Sequence, residues 1–182
     1  MEWIGALPGK RENIRYVGDH ILVQKDIEAQ GKFDDIVAYG GWPFDDHSPK
    51  AFYDKGAPTT FHNTPNPFGI PFRALYSKNI ENLYFAGRNI SMTHAAMSSA
   101  RVMATCALLG EAVGEAANVA REFGLTPQGV YDEKLDLLQQ PLARSLFLQA
   151  PVRHNRLPGC DRPGAVSAAS DWYMLTQSHR TL

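Results

Sequence analysis

The chain has 182 residues, an apolar fraction of 44% and a formal net charge of −1. That length provides one hydrophobic core or slightly more, and the weak net charge excludes an electrostatic field that would attract nucleic acid or an anionic membrane. The sequence contains no apolar run of about 18 residues and no signal peptide, and its two cysteines lie too far apart for a disulfide framework or a zinc site. We therefore expect a partner that is neither nucleic acid nor a membrane.

The first part of the chain alternates short apolar runs with turn residues, a pattern typical of short strands and helices. The predicted elements are strands at 14–17 and 20–23 across a Gly18-Asp19 turn, a short helix at 25–30 capped by Gly31, and a strand at 35–39 ended by Gly40-Gly41. Residues 42–71 follow as a long segment rich in proline and aromatic residues, for which we predict an irregular loop. Loops of that length are usually functional or disordered.

A second group of elements lies between Asn82 and Gly124. An apolar strand is predicted at 83–86, and a long helix at 99–123 that starts within about two residues of Ser98. One face of this helix is expected to be buried, and its members are small: Ala100, Ala107, Gly110, Gly114 and Ala117, with Met103 between them. The other face is expected to be solvated and is polar: Glu111, Glu115, Asn118 and Glu122.

Glycine and proline mark the end of the long helix. Gly124 is the predicted cap, and a further helix is predicted at 126–138, broken by Pro141. From Pro151 onward the sequence predicts an irregular tail.

The succession of strand, glycine and small-residue helix allows a backbone to approach a bulky ligand closely. Amides left unpaired at the helix N-terminus would then donate to anionic or carbonyl oxygens of that ligand. The alternative is a tightly packed structural helix that contacts no ligand, because close packing on a sheet would equally offset the cost of about 2 kcal/mol of two helical glycines. The residue pattern by itself leaves both interpretations open.

The same segment resembles a known family. Residues 82–120 read NLYFAGRNISMTHAAMSSARVMATCALLGEAVGEAANVA. This string resembles the C-terminal flavin-closing segment of a bacterial family of FAD-dependent oxidoreductases, which is distantly similar to the glutathione-reductase and fumarate-reductase flavoproteins. The matching positions are Asn82, Leu83, Ala86, Gly87, Arg88, Ile90, Ser91, His94, Ser99, Arg101, Val102, Met103, Cys106, Gly110, Ala112, Gly114, Ala116 and Ala117. The likeness extends upstream through 69–73, 39–43 and Asp46-His47 to Arg15 and Gly18-Asp19.

The resemblance implies FAD as the cofactor and an α+β fold, namely the C-terminal portion of a two-dinucleotide-binding-type flavoprotein. It divides the chain into a substrate-domain-like segment at 1–78, an FAD-closing strand and helix at 79–140, and an irregular tail or linker at 141–182. Such flavoproteins hold the FAD pyrophosphate with a G-x-G-x-x-G fingerprint, which this sequence lacks. The N-terminal Rossmann half is therefore expected to be missing, so that the chain is a fragment, a truncated gene product or one half of a split enzyme.

By resemblance, five residues are expected to bind the cofactor: Gly87, Arg88, Ser99, Arg101 and Val102. The helix N-terminus near 98–102 would face the pyrimidine edge of the flavin ring, where backbone donors stabilise the negative charge that reduction builds. Arg88 stands where related flavoproteins carry a glutamate to the ribityl chain. Since a guanidinium accepts no hydroxyl proton, Arg88 would contact phosphate or brace the loop, with a structural salt bridge as the alternative.

The catalytic candidates are two histidines, because the imidazole pKa lies near the pH at which enzymes operate. His94 is the titratable group nearest the flavin segment, and His47 follows Asp45 and Asp46, whose carboxylates can orient an imidazole. The alternative for His94 is a satisfied structural histidine. Arg73 and Asp46 are the predicted substrate-binding residues for an oxygen-rich molecule. No metal site is expected, since three adjacent residues do not readily chelate one ion.

Two classes of function stay open. In the first, the chain is the substrate-side and flavin-closing part of an FAD-dependent oxidoreductase that removes hydride from a C–H bond of a small, polyol-like or carbohydrate-like molecule. In the second, it is a non-catalytic fragment or subunit that acts by associating with a partner chain. Burial of the small-residue helix face discriminates between them, since that face would expose apolar surface in the absence of its partner.

Overall fold

The computed structural model describes residues 14–48, 50, 53–57, 59–64 and 66–144, which form an α+β fold. Its helices are α1 (Gln24–Glu28), α2 (His94–Ala100), α3 (Met103–Phe123) and α4 (Pro127–Arg144). Its strands are β1 (Ile36–Gly40), β2 (Phe44–Asp46), β3 (Thr60–His62) and β4 (Phe68–Pro71). The predicted α+β class is confirmed, and the irregular tail predicted from Pro151 lies outside the described residues.

The strands pair into two small antiparallel sheets. In the first, β1 pairs with β4, from Gly40 opposite Phe68 to Ile36 opposite Pro71. In the second, β2 pairs with β3. The strand predicted at 35–39 is thus confirmed, whereas the prediction of an irregular loop over 42–71 is wrong, because three strands lie there. Each of the three is only three or four residues long, too short for a recognisable alternation between the prolines.

A single apolar core joins both sheets to the helices. Its largest fully buried side chains are Tyr76, Phe68, Phe72, Leu22, Ile27, Ile70, Leu75, Ile90, Met97, Leu109, Leu138 and Val37. α3 packs against α4 and β1, and α2 packs against β2. The predicted short helix is confirmed as α1, and the chain turns after it at Gly31, where φ is +55°. A Cβ on Gly31 would lie 2.1 Å from the Gly69 carbonyl oxygen, so this approach of two backbones requires glycine.

Residues 14–23 do not form the predicted pair of strands. Leu22 makes one parallel bridge with Met92, and its amide donates to the Ser91 carbonyl at 3.0 Å. The other apolar side chains of this stretch stay largely exposed: Ile14, Val17 and Ile21. The apolar runs that suggested strands therefore cover an outer surface. Their backbone makes single hydrogen bonds to the segment before α2 and, through His20 and Val17, to Arg73 and Lys78, without forming a ladder.

The strand predicted at 83–86 is reduced to a single antiparallel bridge between Tyr84 and Tyr76. The Phe85 amide donates to the Leu75 carbonyl at 2.9 Å, and Phe85 alone among the four residues is buried. Gly87 follows with φ +93° and ends the extended segment as predicted. Because only one bridge forms before this turn, the apolar run does not become a ladder strand.

The long helix predicted at 99–123 starts later in the structure, as α3, and is preceded by a separate helix, α2, that was not predicted. α2 ends at Ala100 and α3 begins at Met103, with a bend of 96° between them. Val102 is extended at the break, so the predicted helix start near Ser98 is wrong. The predicted end is confirmed, since Gly124 caps α3 with φ +65°. Among the described residues no single helix is long and apolar enough to cross a membrane, and only the bent pair α2 and α3 meets that test on length and composition.

The buried face of α3 is not the predicted one. The buried residues are Thr105, Leu109, Ala112, Ala116 and Val119. Four small residues expected in the core are exposed instead, and with Met103, which is 90% exposed, they form the small-residue stripe: Met103, Ala107, Gly110, Gly114 and Ala117. Leucine and valine gain more free energy from burial than glycine and alanine, so they select the face that packs. The polar face lies outside the core as predicted, with Glu115 half-buried.

α4 continues past the predicted break at Pro141 and reaches Arg144. The helical dihedral angles are interrupted at Lys134 instead, where φ is −135°. Beyond that point, the Gln139 side-chain amide donates to the Ile36 carbonyl at 3.0 Å, and Leu138 and Leu142 are buried. Such tertiary anchoring outweighs a proline penalty of about 3 kcal/mol.

Candidate active site

The candidate site forms where the short strand β2 crosses α2. Thr93 precedes this helix as its N-cap, and its Oγ1 accepts from the Ala96 amide at 3.4 Å. The helix buries its side chains from Ala96 to Ala100 against β2 and the core. His94 therefore stands at the first position of α2, and Arg101 directly follows its end.

His94 contacts two oxygen atoms of the β2 segment through one ring nitrogen. Its Nε2 lies 3.0 Å from the His47 carbonyl oxygen and 2.7 Å from Oδ1 of Asp46. This Oδ1 is buried and makes no hydrogen bond of good geometry with the described residues, so it lies off the N–H direction that points to the His47 carbonyl. The contact with Asp46 is therefore an electrostatic one at very short range.

Asp45, the neighbour of Asp46, holds the other end of α2. Arg101 Nη2 donates to the Asp45 carbonyl oxygen at 2.9 Å and approaches its Oδ2 at 3.4 Å. Thr59 donates its hydroxyl hydrogen to Oδ1 of the same carboxylate, and Nε2 of His47 lies 3.6 Å from Oδ2. Since successive residues of a strand point to opposite faces, two adjacent carboxylates reach two different groups of partners.

Ser99 attaches the end of α2 to the chain before β2, and Arg101 connects it to the first turn of α3. The Ser99 hydroxyl donates to the Trp42 carbonyl oxygen. Arg101 in turn accepts a hydrogen bond at its carbonyl from Sγ of Cys106, at 3.4 Å. Burial raises the pKa of the Cys106 thiol, and the positive charge of Arg88 acts in the opposite direction. Arg88 thus lies near enough to the start of α3 to influence it.

The start of α3 and the turn at Gly87 have the features that an FAD-binding segment needs. The first turn of α3 has no side-chain cap, so its amides can donate to an anionic or carbonyl group. Thr105 in that turn is fully buried, and its Oγ1 has no hydrogen-bond partner among the described residues. At Gly87 an added Cβ would meet only Asn89 Oδ1, at 3.7 Å, so a ligand can approach the backbone. These residues fit a bound FAD.

Arg73 belongs to a different contact network. Its guanidinium donates to both carboxylate oxygens of Asp35 at 3.0 and 3.1 Å, and Asp35 is fully buried. The hydrogen bonds with Asp35 raise the pKa of Arg73, and its guanidinium carbon lies 5.3 Å from the centre of the Tyr131 ring. Substrate binding by Arg73 stays a prediction, and any substrate would have to share this guanidinium with Asp35.

The structure thus brings together five of the residues predicted for the site: His47, Asp46, His94, Ser99 and Arg101. From the sequence we expected Asp45 only to orient His47. The hydrogen bond between Arg101 and the Asp45 carbonyl was not predicted, because 56 residues separate the two. The one local signal was the Asp45-Asp46 doublet beside a histidine. Among the described residues no cluster of three metal-ligating side chains occurs.

Comparison with known families agrees with this geometry. Residues 1–142 match the family described as FAD dependent oxidoreductase, and this match covers more than two thirds of the 182 residues. The chain therefore belongs to the FAD-dependent oxidoreductases, and FAD is its cofactor. No curated protein and no solved structure matches the chain significantly.

Proposed function

We propose that this chain is the C-terminal, substrate-side and flavin-closing part of an oxidoreductase that removes hydride from a C–H bond of a small hydroxylated molecule, polyol-like or carbohydrate-like. Bound FAD supplies the hydride acceptor. The observation that carries the proposal is the juxtaposition of His94 and Asp46 one short helix away from the uncapped start of α3. An imidazole supported by a carboxylate can take the proton that leaves a hydroxyl when the adjacent C–H bond is oxidised.

The remaining residues have supporting roles in this proposal. The first-turn amides of α3, near Val102, would stabilise negative charge on the flavin ring. Gly87 would allow the close approach, and Arg88 would contact phosphate or brace the turn. Arg101 and Ser99 would hold the bend between the helices, since both are already bonded to the β2 segment.

The proposal also requires a glycine fingerprint for the FAD pyrophosphate, which this sequence does not contain. We propose that it is supplied by another polypeptide segment that covers the small-residue stripe. The stripe is apolar and exposed, and among the described residues no neighbouring atom lies within 4 Å of a Cβ added at Gly110 or Gly114. Exposed apolar surface of this kind marks a site of association.

The same stripe favours a second candidate function, association without catalysis. In that case the chain would bind a partner through the stripe, and the His94 cluster would only hold α2 in place. Flavin chemistry discriminates between the two candidates, because the associating subunit needs no FAD at its own residues.

Native isolation tests the proposal. The chain is tagged in its own cells, purified without denaturant and analysed by native mass spectrometry and by its flavin absorption spectrum. We expect one FAD, together with a segment that bears G-x-G-x-x-G, either in a second chain or in a polypeptide longer than the 20.2 kDa of this one. The 20.2 kDa chain carrying stoichiometric FAD by itself would refute the need for a second segment. A complex without flavin would favour association alone.

A further inference from the structure

We propose that the ring proton of His94 is fixed on Nε2 by Asp46 and the His47 carbonyl, so that Nδ1 is the atom that accepts the substrate proton, and that Asp46 is the residue positioning this base. The tautomer follows from the contacts of the described residues. The role of Nδ1 as proton acceptor rests on the function proposed above.

The oxygen atoms around Nε2 determine where the proton sits. A backbone carbonyl oxygen can only accept a hydrogen bond, and so can a carboxylate oxygen. Both kinds of oxygen lie against Nε2, at 3.0 and 2.7 Å. If Nε2 carried a lone pair, three electron-rich atoms would face one another at hydrogen-bond distance. Nε2 therefore carries the hydrogen, and in the neutral ring the lone pair is on Nδ1.

Asp46 contributes through charge. The Asp46 side chain keeps 40% of its surface exposed, but its Oδ1 atom is buried without a hydrogen bond of good geometry to a described residue, and a buried polar atom is costly unless a polar group compensates. The Nε2–H group 2.7 Å away is that group. Asp46 thus holds the ring with Nε2 toward the carboxylate and leaves Nδ1 on the opposite side of the ring.

Nδ1 itself is available for the reaction. Neither a hydrogen bond nor an ion pair to this atom occurs within the described part of the chain, and the His94 side chain keeps 27% of its surface exposed. In the proposed step, the hydroxyl O–H bond breaks and its proton moves to Nδ1. The adjacent C–H bond would break as well, bound FAD would accept its electron pair as hydride, and the carbon–oxygen bond would become a carbonyl.

His47 does not have the same arrangement. Its Nε2 lies 3.6 Å from Oδ2 of Asp45, beyond a normal hydrogen bond. That carboxylate already accepts from Thr59 and is approached by Arg101. The Asp45 carboxylate therefore contacts Thr59 and Arg101 at the bend between α2 and α3, whereas Oδ1 of Asp46 faces His94. This difference favours His94 over His47 as the base.

Nuclear magnetic resonance of the ¹⁵N-labelled chain tests the tautomer without flavin or activity. Long-range ¹H–¹⁵N spectra at about pH 8, above the ordinary imidazole pKa, report which nitrogen is protonated in each of the six histidines. The His94 signals are assigned by their loss in His94→Gln. We expect a protonated Nε2, a bare Nδ1 and a ring N–H signal that survives exchange with water. A proton on Nδ1 in the wild-type chain overturns the proposal.

Two carboxylate variants test the role of Asp46. Asp46→Asn should weaken or abolish the surviving N–H signal of His94, whereas Asp45→Asn, which alters the adjacent carboxylate, should retain it. The backbone amide spectrum verifies that each variant is folded. An unchanged His94 signal in folded Asp46→Asn overturns the positioning role. Should that variant not fold, the wild-type tautomer still decides.

Turnover of the assembled enzyme tests the proton transfer separately. In His94→Gln the amide can still donate to the His47 carbonyl but offers no base, so flavin content should persist while kcat falls by roughly 10²- to 10⁴-fold. Asp46→Asn should lower kcat at least about tenfold with little change in KM. Normal turnover of His94→Gln overturns the catalytic assignment. Absence of FAD from every native form would instead refute the proposed function, while the tautomer result would stand.

Discussion

Replacing both exposed glycines of α3 by alanine should stabilise the isolated chain and weaken its assembly. Gly110 and Gly114 lie in the interior of a 21-residue helix, and in the described part of the chain no other atom lies within 4 Å of a Cβ added at either position. Each glycine costs about 0.8–1.0 kcal/mol relative to alanine in such a helix. Because no steric penalty opposes this gain, the free energy of unfolding should rise by about 2 kcal/mol in the double variant Gly110→Ala/Gly114→Ala.

Thermal and urea denaturation of the chain measure this gain. For a chain of this size, 1 kcal/mol shifts Tm by about 2–4 °C, so the double variant should melt about 4–8 °C higher. Gly124→Ala is the matched control, because its Cβ also meets no atom within 4 Å but its φ is +65°. In that left-handed conformation alanine costs about 1 kcal/mol or more, so the control should lose stability.

The assembled protein should respond in the opposite direction. If a partner segment packs on the small-residue stripe, two added methyl groups should impose an overpacking cost of about 1–3 kcal/mol at that contact. Affinity for the partner, or flavin retention in the native complex, should fall accordingly. A destabilised isolated double variant would show that the face of α3 is not open. A stabilised variant that assembles and retains FAD normally would remove the stripe from the interface.

Three further results are expected. Asp35→Asn should lower the free energy of unfolding by about 3 kcal/mol in urea titrations, since it removes the buried charge that Arg73 contacts through two oxygens; a loss below about 1 kcal/mol would contradict this. Cys106, studied in a Cys160→Ser background, should react with iodoacetamide more slowly than free cysteine because burial raises its pKa; equal rates would show an accessible thiolate. Burial also raises the pKa of Tyr84 from 10.0 to about 12. The folded state retains a proton that the unfolded state releases, so stability should fall as the pH rises from about 10 to 12, and Tyr84→Phe should flatten that fall.

Elements with a strong local signal could be predicted from the sequence. The strand at 36–40 ends at a diglycine, and Gly124 caps α3 in the left-handed conformation that glycine adopts readily. The exposed glutamate face of α3 also followed from its period. In each case, the physical cause acts within a few residues of the chain, and no distant partner is needed to reveal it.

The break between α2 and α3 could not be predicted in this way. Residues 99–123 contain no proline, and the helix predicted there ran across the break at Arg101 and Val102. The interruption coincides with Arg101, whose guanidinium binds the Asp45 carbonyl 56 residues earlier in the chain. A contact between residues so far apart in sequence does not alter the local hydrophobic pattern. A helix prediction based on local propensity therefore continues through the break.

The choice of the buried face of α3 failed for a different reason. Glycine and alanine at regular spacing suggested that their face packs closely against the core. The opposite face of the helix, which carries Leu109 and Val119, is the buried one. Within the described residues the larger side chains occupy the core. The spacing of small residues therefore did not identify the core face of α3, and the proposed role of the stripe is association with a partner.

The two adjacent carboxylates of β2 connect this bend to the candidate chemistry. Because the strand alternates its side chains, Asp46 meets His94 at the start of α2 while Asp45 meets Arg101 just after its end. A seven-residue helix is thus held at both ends by one three-residue strand. The same contacts that orient the imidazole also set where α3 begins. The proposed proton acceptor and the helix N-terminus proposed to face the flavin are in this way held relative to each other, and hydride transfer would require such positional control.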